Sequence, residues 1–151
     1  MRTYLVVIDD TPEAVVALRF AARRAARTGG GIEILALIPP VEFVGMGDVQ
    51  ATIEEEARQH VDALVASAAS ILTEEAGILP SIRVEAGEPV SLIRRTLAAN
   101  PEIAALVLGA AATGSPGPLV AHFAGADVGS LPCPLMIVPG GLDVTALDRV
   151  S

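Results

Sequence analysis

The sequence predicts an α/β fold, in which an open sheet of five parallel strands is covered by helices on both faces. Strand-length apolar runs alternate with amphipathic stretches of helical length along the whole chain. This alternation favours a parallel sheet, because each helix crosses back over the sheet between two strands. The chain has 151 residues, and no repeat or linker divides it. We therefore predict one domain over residues 1–140 and a short tail over residues 141–151.

Each predicted strand is a short, strongly apolar segment. The first, TYLVVID, is a continuous apolar run that ends in an acid, as expected for a strand buried on both faces. The third, SIRVEAG, alternates its apolar residues at Ile82 and Val84. The five predicted strands are residues 3–9, 32–38, 81–87, 103–109 and 134–140.

The helices between the strands are predicted from their ends and from their apolar spacing. Thr11 is the expected N-cap of the first helix, Pro12 suits its first position, and Gly29 ends it. The tail is too short for another layer, so it is either a clamp on a partner or a loose end. The four predicted helices are residues 12–28, 49–76, 88–100 and about 118–129, with a loop at residues 39–48.

Composition excludes several classes of protein. The net charge is −8 and the isoelectric point is near 4.6, so the chain lacks the basic face of a general nucleic-acid binder. No stretch contains 18 apolar residues without a charge or a turn signal, so no membrane span is expected. The single cysteine excludes an internal disulfide. It fits a reducing cytoplasm, and the N-terminus has the pattern of an unexported protein.

The segment VLGAAATGSPGPLVAHFAG, residues 107–125, is the main candidate for a ligand site. It runs from an apolar strand through a glycine-rich loop into a helix. In open parallel sheets ligands bind beyond the carboxyl ends of the strands, where Asp9 also lies. Backbone N–H groups of this loop, with the hydroxyls of Thr113 and Ser115, would form a cradle for an anion.

The alternative for this loop is a rigid connection without a ligand. Pro116 and Pro118 each remove one N–H donor. All ten cations of the chain are arginines, and none lies between Arg95 and Arg149. A bound triphosphate would therefore depend on Mg²⁺ or on His122 for its counter-charge.

Four segments, in their order along the chain, resemble the universal stress protein family over nearly its whole length. They are YLVVIDDTPEAVVALRFA, EAGEPVSLI, LVLGA and LPCPLMIVP, and SPGPLV is similar to the GPGPLV-type run of one bacterial branch. The resemblance implies a Rossmann-like sheet with strand order 3-2-1-4-5 and a cytoplasmic, homodimeric stress-response domain. It also implies binding of ATP or AMP, with Mg²⁺. The apolar closing strand PLMIVP, whose exposed edge would otherwise pair without control, also favours a dimer.

The resemblance places candidate nucleotide contacts on this chain. Asp9 would contact the base or ribose and Leu37 would line the adenine pocket, unless they are only a turn acid and a core residue. Gly109 matches the first glycine of the family's nucleotide loop, whereas Ala112 stands at the second. The family's loop closes with a glycine followed by a hydroxyl residue. This pair falls on Ala121-His122 or on His122-Phe123, and neither of these is a glycine followed by a hydroxyl residue. The candidate residues are Asp9, Leu37, Gly109, Thr113, Gly114, Ser115, Gly117 and His122.

Three classes of function remain open on the sequence. The first is a regulatory domain that senses ATP or AMP, the second a dimeric adaptor that binds a protein partner, and the third a slow ATPase. No activated nucleophile, paired catalytic carboxylates or phosphate-binding lysine is evident, so the enzyme ranks last and no catalytic residue is assigned. His60 and His122 have no acid or cysteine cluster at ligand spacing and predict no metal site. Cys133 is expected to be a small buried hydrophobe.

Overall fold

The sheet dominates the computed structural model, which describes residues 1–40 and 45–151. Its order is β3-β2-β1-β4-β5, and every pair of neighbouring strands is parallel. The fold class, the parallel sheet and the predicted strand order are confirmed. The strands are β1 (Thr3–Ile8), β2 (Gly31–Ile38), β3 (Ser81–Ala86), β4 (Ile103–Ala110) and β5 (Leu135–Pro139).

The helices lie on both faces of this sheet, as predicted. Their bounds are α1 (Pro12–Thr28), α2 (Gly47–Ala76), α3 (Pro89–Ala99), α4 (Pro118–Phe123) and α5 (Val144–Val150). Helix α2 begins two residues before the predicted start at residue 49. Residues 41–44 of the predicted loop lie outside the described residues. No helix in the part of the chain that the structure describes is long and apolar enough to cross a membrane.

One face of the sheet is covered by α1 and α2. The buried stripe of α1 consists of alanines and one leucine, which is fully buried at Leu18. Small side chains let this helix lie close to the strands, against residues such as Val6 and Val107. The burial of these apolar side chains is the main source of stability on this face. Helix α2 adds the buried residues Val61, Ala68 and Leu72.

The other face is covered by α3 and α4. Phe123 of α4 and Ile93 of α3 are fully buried against strand residues such as Leu106. Glu88 caps α3, since its carboxylate accepts hydrogen bonds from the Val90 and Ser91 backbone N–H groups at 3.1 and 2.7 Å. The bond from Ser91, followed by that from Val90, lowers the pKa of the Glu88 carboxyl.

The last predicted helix is wrong in length. It was expected to reach about residue 129, but α4 ends at Phe123 and a separate 3-10 helix occupies Val128–Ser130. Gly125 and Gly129 lie in the missing part, and glycine disfavours a continuous helix by about 1 kcal/mol per residue. The chain therefore turns early and enters β5 after Pro134.

The tail is an ordered helix that packs on its own chain, and neither expectation for it described that. Helix α5 begins after Asp143, whose carboxylate accepts a hydrogen bond from the Ala146 N–H at 2.8 Å. Leu147 is buried in the same core cluster as α1. The Arg27 guanidinium donates to the backbone oxygens of Asp148, at 2.8 Å, and of Ser151.

Arg23 ties α1 to both α2 and α5. Its side chain is only 14% exposed and contacts Glu75 at 3.1 Å and Asp148 at 2.7 Å. Burial alone would lower the pKa of Arg23, but the hydrogen bonds to Asp148 and Glu75 outweigh it and raise the pKa above its ordinary value. The two acids thus compensate the desolvation of the guanidinium, and through Asp148 the arginine holds α5 against α1.

Candidate functional site

The carboxyl ends of β1 and β4 border a small cavity, which we call the carboxyl-end crevice. Asp9 and Glu13 line one side, and Gly109, at the end of β4, lines another. Its rim is the segment from Pro116 to Pro118. The volume of this crevice is about 60 Å³. Three of the predicted candidates, Asp9, Gly109 and Gly117, therefore meet at one place, which is where the sheet topology predicts a ligand.

Asp9 is engaged within its own turn. Its Oδ1 atom accepts hydrogen bonds from the Thr11 backbone N–H at 3.2 Å and from the Thr11 hydroxyl at 2.5 Å. Thr11 stands at the N-cap position of α1, but its side chain makes no capping hydrogen bond. The predicted side-chain cap is therefore wrong, because the hydroxyl donates to Asp9. The bonds match the alternative in which Asp9 belongs to the turn before α1.

Gly109 is explained by helix packing. A Cβ atom at this position would overlap the backbone carbonyl oxygen of Glu13, in the first turn of α1. Gly140 lies against the same turn, where a Cβ atom would be 2.8 Å from the Glu13 Cβ and 2.6 Å from the Ala110 oxygen. Two glycines thus let α1 approach β4 and the end of β5. This contact accounts for Gly109 without a nucleotide.

The loop after β4 is closed by its own backbone. The Ala111 N–H donates to the Pro116 carbonyl oxygen at 3.1 Å, so this donor is not available to a phosphate. Gly114 and Gly117 have φ values of +73° and +109°, which L side chains rarely adopt. Thr113 and Ser115 are exposed and do not line the carboxyl-end crevice.

The remaining candidates point to other surroundings. Leu37 is only 8% exposed and belongs to the core on the face of α3 and α4. His122 is exposed, and its Nε2 atom lies 3.7 Å from the Asp127 carboxylate. Arg94 contacts the same carboxylate at 3.2 Å. The structure therefore places Leu37 and His122 outside the lining of the carboxyl-end crevice.

The charge of the carboxyl-end crevice is negative. Asp9 and Glu13 are its charged lining residues among the described part of the chain, and no arginine or histidine lines it there. Sequence reasoning missed Glu13 as a lining residue, although its place in the first turn of α1 beside Asp9 would have indicated it. Among the described residues no group of three His, Cys, Asp or Glu side chains has metal-binding geometry.

Cys133 lies beside the core on the face of α3 and α4, and it is half-buried. Burial raises the pKa of its thiol, and a hydrogen bond involving the Leu106 backbone opposes this only in part. A raised pKa leaves less thiolate at neutral pH, so the geometry is that of a structural cysteine.

A second and larger cavity was not predicted. We call it the β5 groove, a depression of about 520 Å³ between α1, β5 and the tail. Its lining is mainly apolar, with one charged residue, Arg24. The groove is formed by three segments that are distant in sequence, so no local sequence motif predicts it.

Comparisons with known proteins agree with the fold. A family model described as the universal stress protein family matches residues 1–139. Universal stress protein UspA from Lactobacillus plantarum is 20% identical, covers 91% of this chain and 97% of its own, and superimposes with a TM-score of 0.74. A universal stress protein from Archaeoglobus fulgidus is 18% identical, with coverages of 91% and 98% and a TM-score of 0.67.

A third structure carries a ligand. It is a universal stress protein family protein from Arabidopsis thaliana with AMP bound, 17% identical, with 92% of each chain covered and a TM-score of 0.55. At these identities the likenesses show the shared fold. No protein with a curated description matches the chain in sequence.

Proposed function

Because the chain belongs to the universal stress protein family, as the match over residues 1–139 establishes, we propose that it is a homodimeric regulatory domain that works through protein contacts. On this proposal the carboxyl-end crevice does not hold a nucleoside triphosphate. The volume of the crevice carries the proposal: it is about 60 Å³. Pockets that enclose small organic ligands are usually about 300–1,000 Å³.

The charges of the crevice support the same conclusion. A triphosphate would face the carboxylates of Asp9 and Glu13, and no cation lines the crevice among the described residues. Like charges at short distance repel, and the low polarizability of a partly buried site strengthens the repulsion. Proline at 116 and 118 and the internal bond of the Ala111 N–H remove three backbone donors that a phosphate cradle would use.

The dimer is proposed to form through the edge of β5. This strand is at the end of the sheet and pairs only with β4 among the described strands. Its Ile137 side chain is 42% exposed. An unpaired apolar edge strand is a template for pairing, and a second copy related by two-fold symmetry would add an antiparallel strand to it.

Nucleotide titration tests the proposed function of the crevice. Thermal unfolding of the purified chain is measured with millimolar ATP–Mg²⁺ and with millimolar AMP. We expect no rise in Tm, since only a ligand that prefers the folded state stabilises it. A saturable rise of several degrees, or phosphate release that Asp9→Ala abolishes, would contradict the proposal.

Sedimentation tests the dimer. We expect a dimer at micromolar concentration and a shift to monomer in Ile137→Arg, because a charge on the edge opposes pairing. Leu79→Arg is the matched control, since Leu79 is 91% exposed and lies away from β5. A wild-type monomer, or equal effects of the two variants, would count against pairing through β5.

A second candidate function is binding of an adenine nucleotide at the carboxyl-end crevice. It is favoured by the convergence of Asp9, Gly109 and Gly117 and by the AMP found in the Arabidopsis thaliana neighbour. The loop after β4 would then have to move outward to admit the base and ribose. AMP, with a single phosphate group, is the better probe of this candidate. Absorbance near 260 nm in the purified protein, or a Tm rise with AMP, would favour it over the adaptor.

A further inference from the structure

The β5 groove is an apolar depression that carries a charged group without a partner among the described residues. Its walls are Phe20 of α1, Met136 and Val138 of β5, and Leu142 and Val150 of the tail segment. Its mouth is open at Val150, which is 46% exposed. The volume of about 520 Å³ lies within the range of pockets that take small organic ligands.

Arg24 is the polar feature of this groove. The neighbouring arginines of α1 are all paired: Arg19 and Arg23 contact Glu75, and Arg27 contacts the backbone of the tail. Arg24, by contrast, has no acidic or hydrogen-bonding side-chain partner among the residues that the structure describes, and its Nε atom is buried without an acceptor. An unpaired guanidinium beside an apolar surface is costly unless something supplies an acceptor.

We propose that the β5 groove binds an apolar monocarboxylate, with its hydrocarbon part along β5 and its carboxylate on Arg24. The apolar walls would remove the hydrocarbon from water, and a guanidinium pairs with a carboxylate through two parallel hydrogen bonds. A single arginine balances a single negative charge. A dianionic phosphate would add uncompensated charge to a chain whose net charge is already −8. This binding does not depend on the proposed function, although the groove shares Ile137 with the edge of β5.

The groove and the proposed dimer edge overlap on β5, since Ile137 lines the groove and is also the exposed apolar side chain of the edge. Pairing between strands uses the backbone groups along the edge, whereas the groove uses the side chains of Met136 and Val138 on the face of α1. The ligand test must therefore be made at a measured oligomeric state.

Titration of the full chain with decanoate, below its micellar concentration, tests the proposal. Binding is measured by calorimetry, with 1-decanol as the uncharged analogue. We expect saturable binding of decanoate and at least about tenfold weaker binding in Arg24→Gln, because hydrogen bonds to charged groups are stronger than neutral ones. Arg95→Gln is the matched control, since Arg95 is an exposed arginine of α3. It should bind decanoate like the wild type.

Val150→Asp provides a second variant that leaves the arginine in place. Val150 is exposed, so this change places an acid at the mouth of the groove without opening the core, and decanoate affinity should again fall about tenfold. Absence of saturable binding to the wild type would overturn the proposal. Equal affinity for 1-decanol and decanoate, or unchanged affinity in Arg24→Gln, would also overturn it. A dimer that Val150→Asp dissociates and that ignores decanoate would instead make the groove a contact between two copies.

Discussion

The carboxyl-end crevice and the β5 groove differ in volume, in lining and in charge. The crevice measures about 60 Å³ and is lined by two acids, whereas the groove measures about 520 Å³ and is lined by apolar side chains and Arg24. The crevice lies where parallel sheets of this kind bind ligands. The groove lies along the edge of the sheet. In this chain, the larger cavity and the unpaired positive charge of Arg24 therefore lie away from the carboxyl ends of the strands, where the sheet topology predicts a ligand.

The difference arises from a few local contacts. In the crevice, the first turn of α1 packs closely on Gly109 and Gly140, and the loop after β4 bonds to itself through Ala111 and Pro116. In the groove, α5 folds back on α1 and supplies a wall at Val150. A fold can thus keep its shape while the polar groups at its usual site are used for internal structure.

Gly109→Ala is expected to have the largest effect, since it tests whether the crevice is closed by packing. The added methyl would overlap the Glu13 carbonyl and lower the free energy of unfolding by about 3 kcal/mol. Urea denaturation measures the change. Gly129→Ala is the control, because a Cβ atom there meets nothing within 4 Å. If Gly109→Ala proved as mild as the control, the glycine would have to be explained by a ligand.

Arg23→Ala tests what holds the wall of the β5 groove. Removing this guanidinium leaves Glu75 and Asp148 without their shared partner and should lower the free energy of unfolding by about 2 kcal/mol. Hydrogen exchange of the α5 amides should accelerate more than that of α3. Arg95→Ala, on the exposed side of α3, should change neither quantity. Unchanged protection of α5 would mean that apolar contacts such as Leu147 hold the tail alone.

Gly117→Ala tests whether the glycines of the loop serve its own conformation. Gly117 has a φ of +109° and a ψ of 157°, a region almost restricted to glycine, and substitution should cost about 1 kcal/mol although the space around it is open. The comparison is with Ala112→Gly in the same loop, which should cost less. A stable Gly117→Ala variant would show that the loop tolerates another path and that the crevice is easier to open than we propose.

The pH dependence of stability that arises from the Glu88 cap of α3 is the smallest expected effect. Because Glu88 lines neither cavity, it serves as a reference for the other variants. The folded-state pKa of Glu88 is lowered, so its contribution is complete above the usual glutamate value and is lost as pH falls through the lowered one. Glu88→Gln should reduce stability slightly at pH 7 and match the wild type once the Glu88 carboxyl of the wild type is protonated. Thermal unfolding between pH 7 and pH 3 measures the convergence. A constant difference across that range would contradict the capping role.

The fold was accessible from the sequence because its signals are local. Apolar runs such as residues 103–109 indicate strands buried on both faces, and Pro12 and Gly29 mark the ends of α1. The length of α4 and the course of the tail were missed for a different reason. Gly125 interrupts the apolar spacing only weakly in sequence, and α5 is held by side chains of α1 that lie far away along the chain.

The candidate site could be predicted only in part from the sequence. Topology brought Asp9, Gly109 and Gly117 together as expected, because Asp9 follows β1, Gly109 lies near the end of β4, and Gly117 precedes α4, which begins at the same edge of the sheet. The reason for Gly109 was hidden, since a motif glycine and a packing glycine look the same in one sequence. The β5 groove was missed because no single segment contains it.

One measurement separates the two regions directly. Backbone amide NMR spectra of a single ¹⁵N-labelled sample are recorded with ATP–Mg²⁺ and then, in a second aliquot, with decanoate. We predict no saturable shifts near Gly109 and Gly117 with ATP–Mg²⁺, and saturable shifts at Phe20, Arg24 and Val138 with decanoate. Saturable ATP–Mg²⁺ shifts around Gly109 and Gly117, with a β5 groove that does not respond to decanoate, would contradict it.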